Sequence, residues 1–374
     1  MPRLAVMPTV RRFGLRQHDQ FLDHLESPEN NCILRTIEHP EDLMLDATGR
    51  TANGYQYTWT GLKALTTLLC DGIQMALLDI VGFRQTRGNV PEGMCDFTTA
   101  VSFFNAVLRL RFARLQTSQM VCSPGAKTID GIVSNSYQFL ANRRYVEMVT
   151  DRLKDHSAKF LAAAVTGRKL AIWFRDDAPT ITVMNRRTPC EHWLGFYGNN
   201  SEGTHASVRF APAIFAICGT AIGSYDTHGR RQVHTGNDLE GRLVAMFDFV
   251  ITNAPTAELY TPQLQAATTT LLRVTGNDAV RTRRINYLVR RLRRPGVPGG
   301  IARDIVMRGL REGSDRDLDL QVHQENGYRF PERTAYDLAS GAMRIGATIG
   351  PGRREAIEQL AHAILTGSLN LQEE

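Results

Sequence analysis

The sequence lacks any long hydrophobic run. No stretch approaches the roughly eighteen consecutive apolar residues that a membrane-spanning helix needs, and the opening residues lack the apolar core of a secretory signal. The hydrophobic fraction is nonetheless 43%, enough for a chain of 374 residues to fold as one large or two ordinary globular domains. These features predict a cytoplasmic protein without membrane contact.

Cysteine is also scarce, and no two cysteines have the CxxC spacing of a metal or redox motif. The six cysteines are scattered, and a chain of 374 residues does not depend on disulfides for stability, so we expect reduced thiols. The tightest group that resembles a metal site contains Cys190, His192 and His205. We expect no metal at this group and no cofactor elsewhere.

The common catalytic motifs are missing as well. The sequence has no GxSxG nucleophile elbow, no glycine loop ending in GK(S/T), no HExxH and no GxGxxG after a strand. These absences argue against an ATPase or a dinucleotide-dependent enzyme. Glu202, in the turn GNNSEGTH, is a nuclease candidate only together with Asp176 or Asp177. Because a lone carboxylate is weak support for catalysis, we interpret Glu202 as part of a turn and expect no catalytic residue.

Positive charge, by contrast, is concentrated in one region. The formal net charge is +6, from 44 lysines and arginines and 38 acidic residues. Residues 273–316 alone hold twelve arginines and four acids, so this segment carries +8 and the rest of the chain −2. Within it, residues 281–294 (RTRRINYLVRRLRR) contain seven arginines and no acid. Such a local excess indicates a charged binding face rather than a generally basic protein.

The arginine segment 281–294 has the spacing of an amphipathic helix. At about 100° per residue, Ile285, Leu288, Val289 and Leu292 form one apolar stripe. The arginines predicted on the opposite, exposed face are Arg283, Arg284, Arg290, Arg291 and Arg294. Arginine pairs bidentately with phosphate oxygens, which favours binding to a phosphate backbone. A solvated face, a protein partner and an anionic membrane surface are the alternatives, although unmixed like charges disfavour a simple solvated face.

A second anion site is predicted in the segment GRRQVHTGND. Arg230, Arg231 and His234 come just before a predicted helix, and free N–H groups at a helix N-terminus bind anions. The alternative is a capped turn with an incidental histidine. Aromatic residues near arginines are candidates for stacking on bases, although most have apolar neighbours and are better core candidates. These aromatics are Tyr137, Tyr145, Trp173, Phe174, Phe196 and Tyr197.

Periodicity predicts an α+β fold with a central, mostly antiparallel sheet flanked by helices and a helical C-terminal part. Short runs rich in β-branched and aromatic residues between 168 and 218 predict the sheet, and helical spacing predicts helices before and after it. We divide the chain into an irregular N-terminal arm (1–60), an α+β core (61–236) and a helical C-terminal region with the basic arginine helix (237–374).

Four short motifs carry a family resemblance: an SxxYxxxxN element, an NSExG turn, a Cys-Gly strand end and an R…HTG element. Their residues are Ser134, Tyr137 and Asn142; Asn200, Ser201, Glu202 and Gly203; Cys218 and Gly219; and Arg231, His234, Thr235 and Gly236. In these motifs, and in the helix TAYDLASGAMRIGA, the chain resembles phage and plasmid proteins of domain-of-unknown-function family 932. It departs from that family in ICGTAIG, which lacks the asparagine expected near Gly219.

The resemblance implies a phage or mobile-element setting and no established reaction. Together with the arginine segment, it leads to the prediction of a nucleic-acid-binding protein, of DNA rather than RNA. We expect it to bind or anneal single-stranded DNA as a homo-oligomer in recombination or replication, in the cytoplasm of a bacterial host. The alternative is a structural or assembly protein of a phage particle or compartment, whose basic face contacts packaged genome or acidic subunits.

Overall fold

The protein has a mixed α+β fold, as the sequence predicts. A computed structural model describes the following residues: 5–6, 10–70, 97–166, 169–175, 193–199, 207–217, 220–223, 230–234, 236–252, 261–274, 277–312, 333–349 and 351–372. Within these ranges the strands form two mostly antiparallel sheets rather than one central sheet. Residues before position 60 supply three of the five strands in one of these sheets, and the sequence analysis did not predict those strands.

Among the described elements, helices and strands are mixed in the first part of the chain, after which six strands and then six helices follow in succession. The strands are β1 (Ala5–Val6), β2 (Val10–Phe13), β3 (Ile33–Thr36), β4 (Gln56–Thr58), β5 (Ser118–Ser123), β6 (Thr128–Ser134), β7 (Lys159–Thr166), β8 (Lys169–Arg175), β9 (Trp193–Asn199), β10 (Ser207–Ile217), β11 (Thr220–Gly223) and β12 (Arg230–Val233). The helices are α1 (His18–Glu26), α2 (Trp59–Leu69), α3 (Phe97–Arg111), α4 (Asn142–Leu153), α5 (Leu239–Thr252), α6 (Thr261–Thr269), α7 (Asp278–Leu292), α8 (Gly299–Glu312), α9 (Ala335–Thr348) and α10 (Pro351–Leu365).

The first sheet has five strands in the order β1-β4-β6-β5-β3. Strands β5 and β6 form an antiparallel hairpin, and β4 lies parallel to β6. Helices α2 and α3 cover one face, where Tyr57, Leu65 and Phe104 are almost completely buried. Helix α2 approaches the sheet closely, since a β-carbon at Gly61 would lie 2.3 Å from the backbone oxygen of Ile129.

The prediction of an irregular arm for residues 1–60 was wrong where the structure describes them. Strand β2 pairs with β7, β3 pairs with β5, and Phe21 of α1 is fully buried. Strands β1 to β4 have only two to four residues each. A strand this short shows too little alternation between apolar and polar residues to be recognised from its sequence.

The second sheet has the order β11-β10-β9-β8-β7-β2, and β12 also pairs with β10. Helices cover both of its faces. Leu170, Ile172 and Phe174 of β8 face the core that includes α4 and α5, and the intervening Trp173 faces α10. Because α4 and α5 share this core, residues on both sides of the predicted boundary at 236 pack together.

Helices α6 to α10 form the helical C-terminal part that the sequence predicts. Leu288 of α7, Ile305 of α8 and Leu338 of α9 are completely buried in one common core. Helices α8 and α9 approach closely at two glycines, because a β-carbon at Gly341 would lie 2.6 Å from the backbone nitrogen of Gly309. In the described ranges, no helix combines the length and the apolar character needed to cross a membrane.

Candidate nucleic-acid interface

The predicted arginine helix exists as α7, and its ends are defined by its capping residues. The side chain of Asn277 accepts a hydrogen bond from the Val280 backbone nitrogen (3.0 Å), which satisfies one of the free N–H groups at the helix start. The last turn contains Arg290 and Arg291, whose charges suit the negative end of the helix dipole. The helix ends at Leu292.

One side of α7 lines an open groove of about 860 Å³. Three of the lining side chains are arginines, and the others are small, polar or apolar. The lining residues are Arg283, Arg290 and Arg293, with Asp278, Ala279, Thr282, Asn286, Val289 and Gly299. The groove lies between α7 and the first residue of α8, where the side chain of Arg293 lies against Gly299.

The three groove arginines carry positive charge that the described part of the chain does not neutralise. Within the described ranges, Arg283, Arg290 and Arg293 form no side-chain hydrogen bond or ion pair. Asp278, the acid among the described lining residues, is already 3.5 Å from Arg281. The groove therefore attracts anions, and the three guanidiniums retain free donors for them.

The spacing of the groove arginines suits a repeating anion. Arg283 and Arg290 are seven residues apart, which places them about 10.5 Å apart along the axis and on nearly the same side of the helix. Arg293 follows three residues later, just beyond the end of α7. Since successive nucleotides in one strand of a duplex advance by about 3.4 Å along its axis, and by more in an extended strand, the row can contact about three phosphates.

The structure corrects the predicted exposure of Arg284. This residue is only 5% exposed, and its Nε donates to the Leu272 backbone oxygen (2.8 Å) while its Nη2 donates to that of Leu371 (2.5 Å). The guanidinium also lies 4.9 Å from the ring centre of Tyr287. The buried stripe of α7 thus includes Arg284 with Leu288 and Leu292. A guanidinium can be buried here because backbone carbonyls accept its hydrogen bonds. The spacing of apolar residues in the sequence does not indicate such acceptors.

The other two predicted arginines lie outside the groove lining. Arg291 is exposed, and its Nε donates to the Asn370 backbone oxygen (3.0 Å). Arg294 is half-buried in the turn after α7, where its backbone exchanges hydrogen bonds with Val297. Of the five arginines predicted as one face, only Arg283 and Arg290 therefore line the groove. Arg293 was missed, although it belongs to the same arginine run.

The second predicted anion site has a buried histidine. His234 is 1% exposed and stacks on Tyr137, with ring centres 5.3 Å apart and an interplanar angle of 24°. Burial lowers the pKa of His234 to about 4, against a smaller opposing contribution from the Gln138 backbone, so the ring is neutral at pH 7. It therefore offers no cation to a phosphate. Arg230 and Arg231 lie on β12, and their side chains are outside the described residues.

Most of the aromatic residues considered as base-stacking candidates belong to the core, which is the alternative that their apolar neighbours favoured. Five of the six are at most 5% exposed: Tyr137, Tyr145, Trp173, Phe174 and Phe196. The side chain of Tyr197 lies outside the described residues. Buried rings cannot stack on bases, so none of these five residues is available to a ligand, and the groove along α7 remains the candidate interface.

The remaining candidates from the sequence lie outside the described residues. They are Glu202, Asp176 and Asp177 for catalysis, and Cys190, His192 and His205 for a metal. In the part of the chain that the structure describes, no group of three or more metal-ligating side chains is found. The interpretation of Glu202 as part of a turn stays a prediction.

Comparison with protein-family models, with curated proteins and with solved structures finds no match to this chain. The resemblance to family 932 therefore stays a prediction. Two of the motifs that carry it nevertheless meet in the fold, because the SxxYxxxxN element contributes Tyr137 and the R…HTG element contributes His234. Beside this ring pair, the Gln138 nitrogen donates to the His234 backbone oxygen (2.7 Å).

Proposed function

We propose that this protein binds the phosphate backbone of nucleic acid, and in particular of single-stranded DNA, through the groove along α7. The observation that carries the proposal is the row of Arg283, Arg290 and Arg293, whose charges no described acid neutralises. A guanidinium donates two parallel hydrogen bonds to one phosphate. Thr282 and Asn286 line the same groove and supply further polar contacts.

In this mechanism, binding is electrostatic and depends little on sequence. Each phosphate that an arginine neutralises releases condensed counterions, so affinity falls as salt rises. Because the described candidates for base stacking are buried, we expect little preference among bases. The preference for a single strand and for DNA over RNA rests on the resemblance in sequence.

The biological setting is also proposed from the resemblance. It favours a phage or mobile-element protein that acts as a homo-oligomer in recombination or replication, in the cytoplasm of a bacterial host. The concentration of positive charge between residues 273 and 316 supports the nucleic-acid part of this proposal independently of the resemblance.

A titration with labelled oligonucleotides tests the proposal. Single- and double-stranded DNA of equal length are compared in fluorescence anisotropy without divalent metal, at salt concentrations from about 50 to 200 mM. Three phosphate contacts predict a fall in affinity of about 20- to 40-fold over this range. Tighter binding of the single strand supports the proposal in full. Affinity that changes less than about threefold overturns the electrostatic mechanism, and self-assembly without DNA binding favours a structural role.

A further inference from the structure

Another side of α7 binds an irregular segment of the same chain, residues 369–372, which we call the docked segment. Three side chains of α7 each donate to one of three successive backbone carbonyls. The pairs are Arg291 Nε to Asn370 O (3.0 Å), Arg284 Nη2 to Leu371 O (2.5 Å) and Tyr287 Oη to Gln372 O (2.7 Å). The arginine helix therefore uses one side for the groove and another for this segment.

The docked segment has two further hydrogen bonds to the rest of the fold, from the Leu369 nitrogen to the Ala363 oxygen (3.0 Å) and from Gln372 Nε2 to the Leu271 oxygen (3.4 Å). Leu371 is its one deeply buried side chain at 4% exposure, and Leu369 is partly buried against the same core. A short turn connects the segment to the end of α10, with Gly367 at a φ of +72° and both Gly367 and Ser368 exposed. Segments with few apolar contacts, joined through an exposed turn, open locally without unfolding the domain.

Two of the three donors that bind the segment are arginines, and their acceptors are neutral carbonyls. A hydrogen bond from a guanidinium to a phosphate is charge-assisted on both sides and stronger than one to a carbonyl. Release of the segment would free the Nη2 of Arg284 and the Nε of Arg291 on the helix that already presents the groove arginines. Two further arginines, on a different side of α7 from the groove, would then offer donors to phosphate, while Arg284 Nε keeps its hydrogen bond to the Leu272 backbone oxygen.

We propose that the docked segment is an autoinhibitory contact, which occupies Arg284 and Arg291 and limits how much phosphate backbone α7 binds. This inference rests on the proposed function of the groove and concerns its regulation. Displacement of the segment increases the number of phosphate contacts, and nucleic acid in turn promotes its displacement, because coupling between two binding events is reciprocal.

A chain that ends at Ser368 tests the proposal through the salt dependence of DNA binding. Two further phosphate contacts steepen the slope of log affinity against log salt by about 1.4 to 1.8. Arg291→Gln should lower the slope by about 0.7 to 0.9 in the shortened chain and by less in the full chain, where the segment competes with the phosphate for Arg291. The double variant Glu373→Gln/Glu374→Gln is the control, since it removes two acids but keeps the docked residues. An unchanged slope in the shortened chain overturns the proposal.

Hydrogen exchange in the full chain provides a second test that requires no variant to fold. A saturating single-stranded oligonucleotide should accelerate amide exchange in residues 369–372, as reciprocity requires. Exchange that is unchanged or slower overturns the autoinhibition. The two proposals fail differently: absence of salt-dependent DNA binding removes the proposed function itself, whereas binding that needs Arg283 but ignores the docked segment removes only its regulation.

Discussion

Arg283 and Arg284 are neighbours in the sequence but lie in different environments. Arg283 is exposed and lines the groove, whereas Arg284 is 5% exposed and donates to the backbone oxygens of Leu272 and Leu371. A helix rotates by about 100° per residue, so adjacent side chains face different sides. The same residue type is therefore accessible to a ligand at one position and bonded within the fold at the next.

Arg283→Gln should weaken nucleic-acid binding without affecting the fold. The substitution removes one phosphate contact, which lowers the salt slope by about 0.7 for a single strand. Because Arg283 is exposed and makes no ion pair among the described residues, the free energy of unfolding should change by less than about 0.5 kcal/mol. Anisotropy titrations at several salt concentrations and urea denaturation measure the two quantities.

Arg284→Gln is the matched control, since it makes the same chemical change one residue later. It breaks hydrogen bonds from a buried charged group, each of which contributes about 1.5 to 3 kcal/mol, so stability should fall by at least that amount. The salt slope should not decrease. If Arg283→Gln left the slope unaltered, phosphate would have to bind elsewhere than in the groove.

The groove itself can be obstructed at Gly299. A β-carbon at Gly299 would lie 3.5 Å from Arg293 Nε, whereas one at Gly300 would meet no atom within 4 Å. Gly299→Leu should therefore fill this end of the groove and displace Arg293, with a loss of about 0.7 to 0.9 in the salt slope. Gly300→Leu should bind DNA like the parent.

The two leucine variants are well matched because both replace a glycine in the first turn of α8 and change helix propensity similarly. The midpoint temperature of thermal unfolding should therefore shift in the same direction in both variants. Equal loss of DNA affinity in both would mean that the start of α8, rather than the space beside Arg293, is what the substitutions disturb.

The sequence predicts the longer elements of the fold well because their periodicity extends over several turns. Helices such as Phe97–Arg111 and Asn142–Leu153 lie before residue 168, where helical spacing predicts helices. The short strand Val10–Phe13 was not predicted, because its pairing with β7 depends on residues far along the chain.

The candidate site was predicted only in part, for a related reason. Clustered charge identified Arg283 and Arg290, but a helical wheel centred on Ile285 placed Arg284 in solvent. Its burial depends on carbonyl acceptors at Leu272 and Leu371, which no local pattern brings near α7. Which arginines bind a ligand and which bind the chain itself is therefore decided by tertiary structure.

A buried ion pair within α10 packs against Trp173 of the second sheet, and double substitution should reveal its contribution to stability. Arg354 Nε is 2.9 Å from Glu358 Oε1, both residues are at most 4% exposed, and the Arg354 guanidinium lies 3.5 Å from the Trp173 ring centre. Glu358→Gln removes one charge and leaves the other buried, which should cost about 3 to 5 kcal/mol.

Replacing both partners should cost much less than replacing one. The double variant Arg354→Met/Glu358→Leu leaves no unpaired charge and keeps similar volume, so its stability should lie closer to that of the parent than to that of Glu358→Gln. Urea denaturation of the three proteins at pH 7 measures this. A double variant no more stable than Glu358→Gln would show that the loss does not come from leaving Arg354 unpaired.

The stability of the protein should depend on pH through His234. Its ordinary pKa of 6.5 falls to about 4 in the folded state, mainly because burial beside Tyr137 disfavours the charged ring. Between these two values the unfolded chain binds a proton that the folded chain does not. The contribution of His234 is therefore fully present above pH 6.5 and is lost as the pH falls towards 4, by about 3 kcal/mol in total.

His234→Phe isolates this effect because phenylalanine preserves a ring against Tyr137 and does not titrate. Urea denaturation at several pH values between 7 and 4 should show the parent losing about 3 kcal/mol more than the variant over this range. Most of the difference should develop below pH 6, since protonation of the unfolded histidine starts near its ordinary pKa. Parallel profiles of unfolding free energy against pH for the two proteins would mean that the histidine ring is accessible to protons in the folded state. His234 would then again be a candidate cation, together with Arg230 and Arg231.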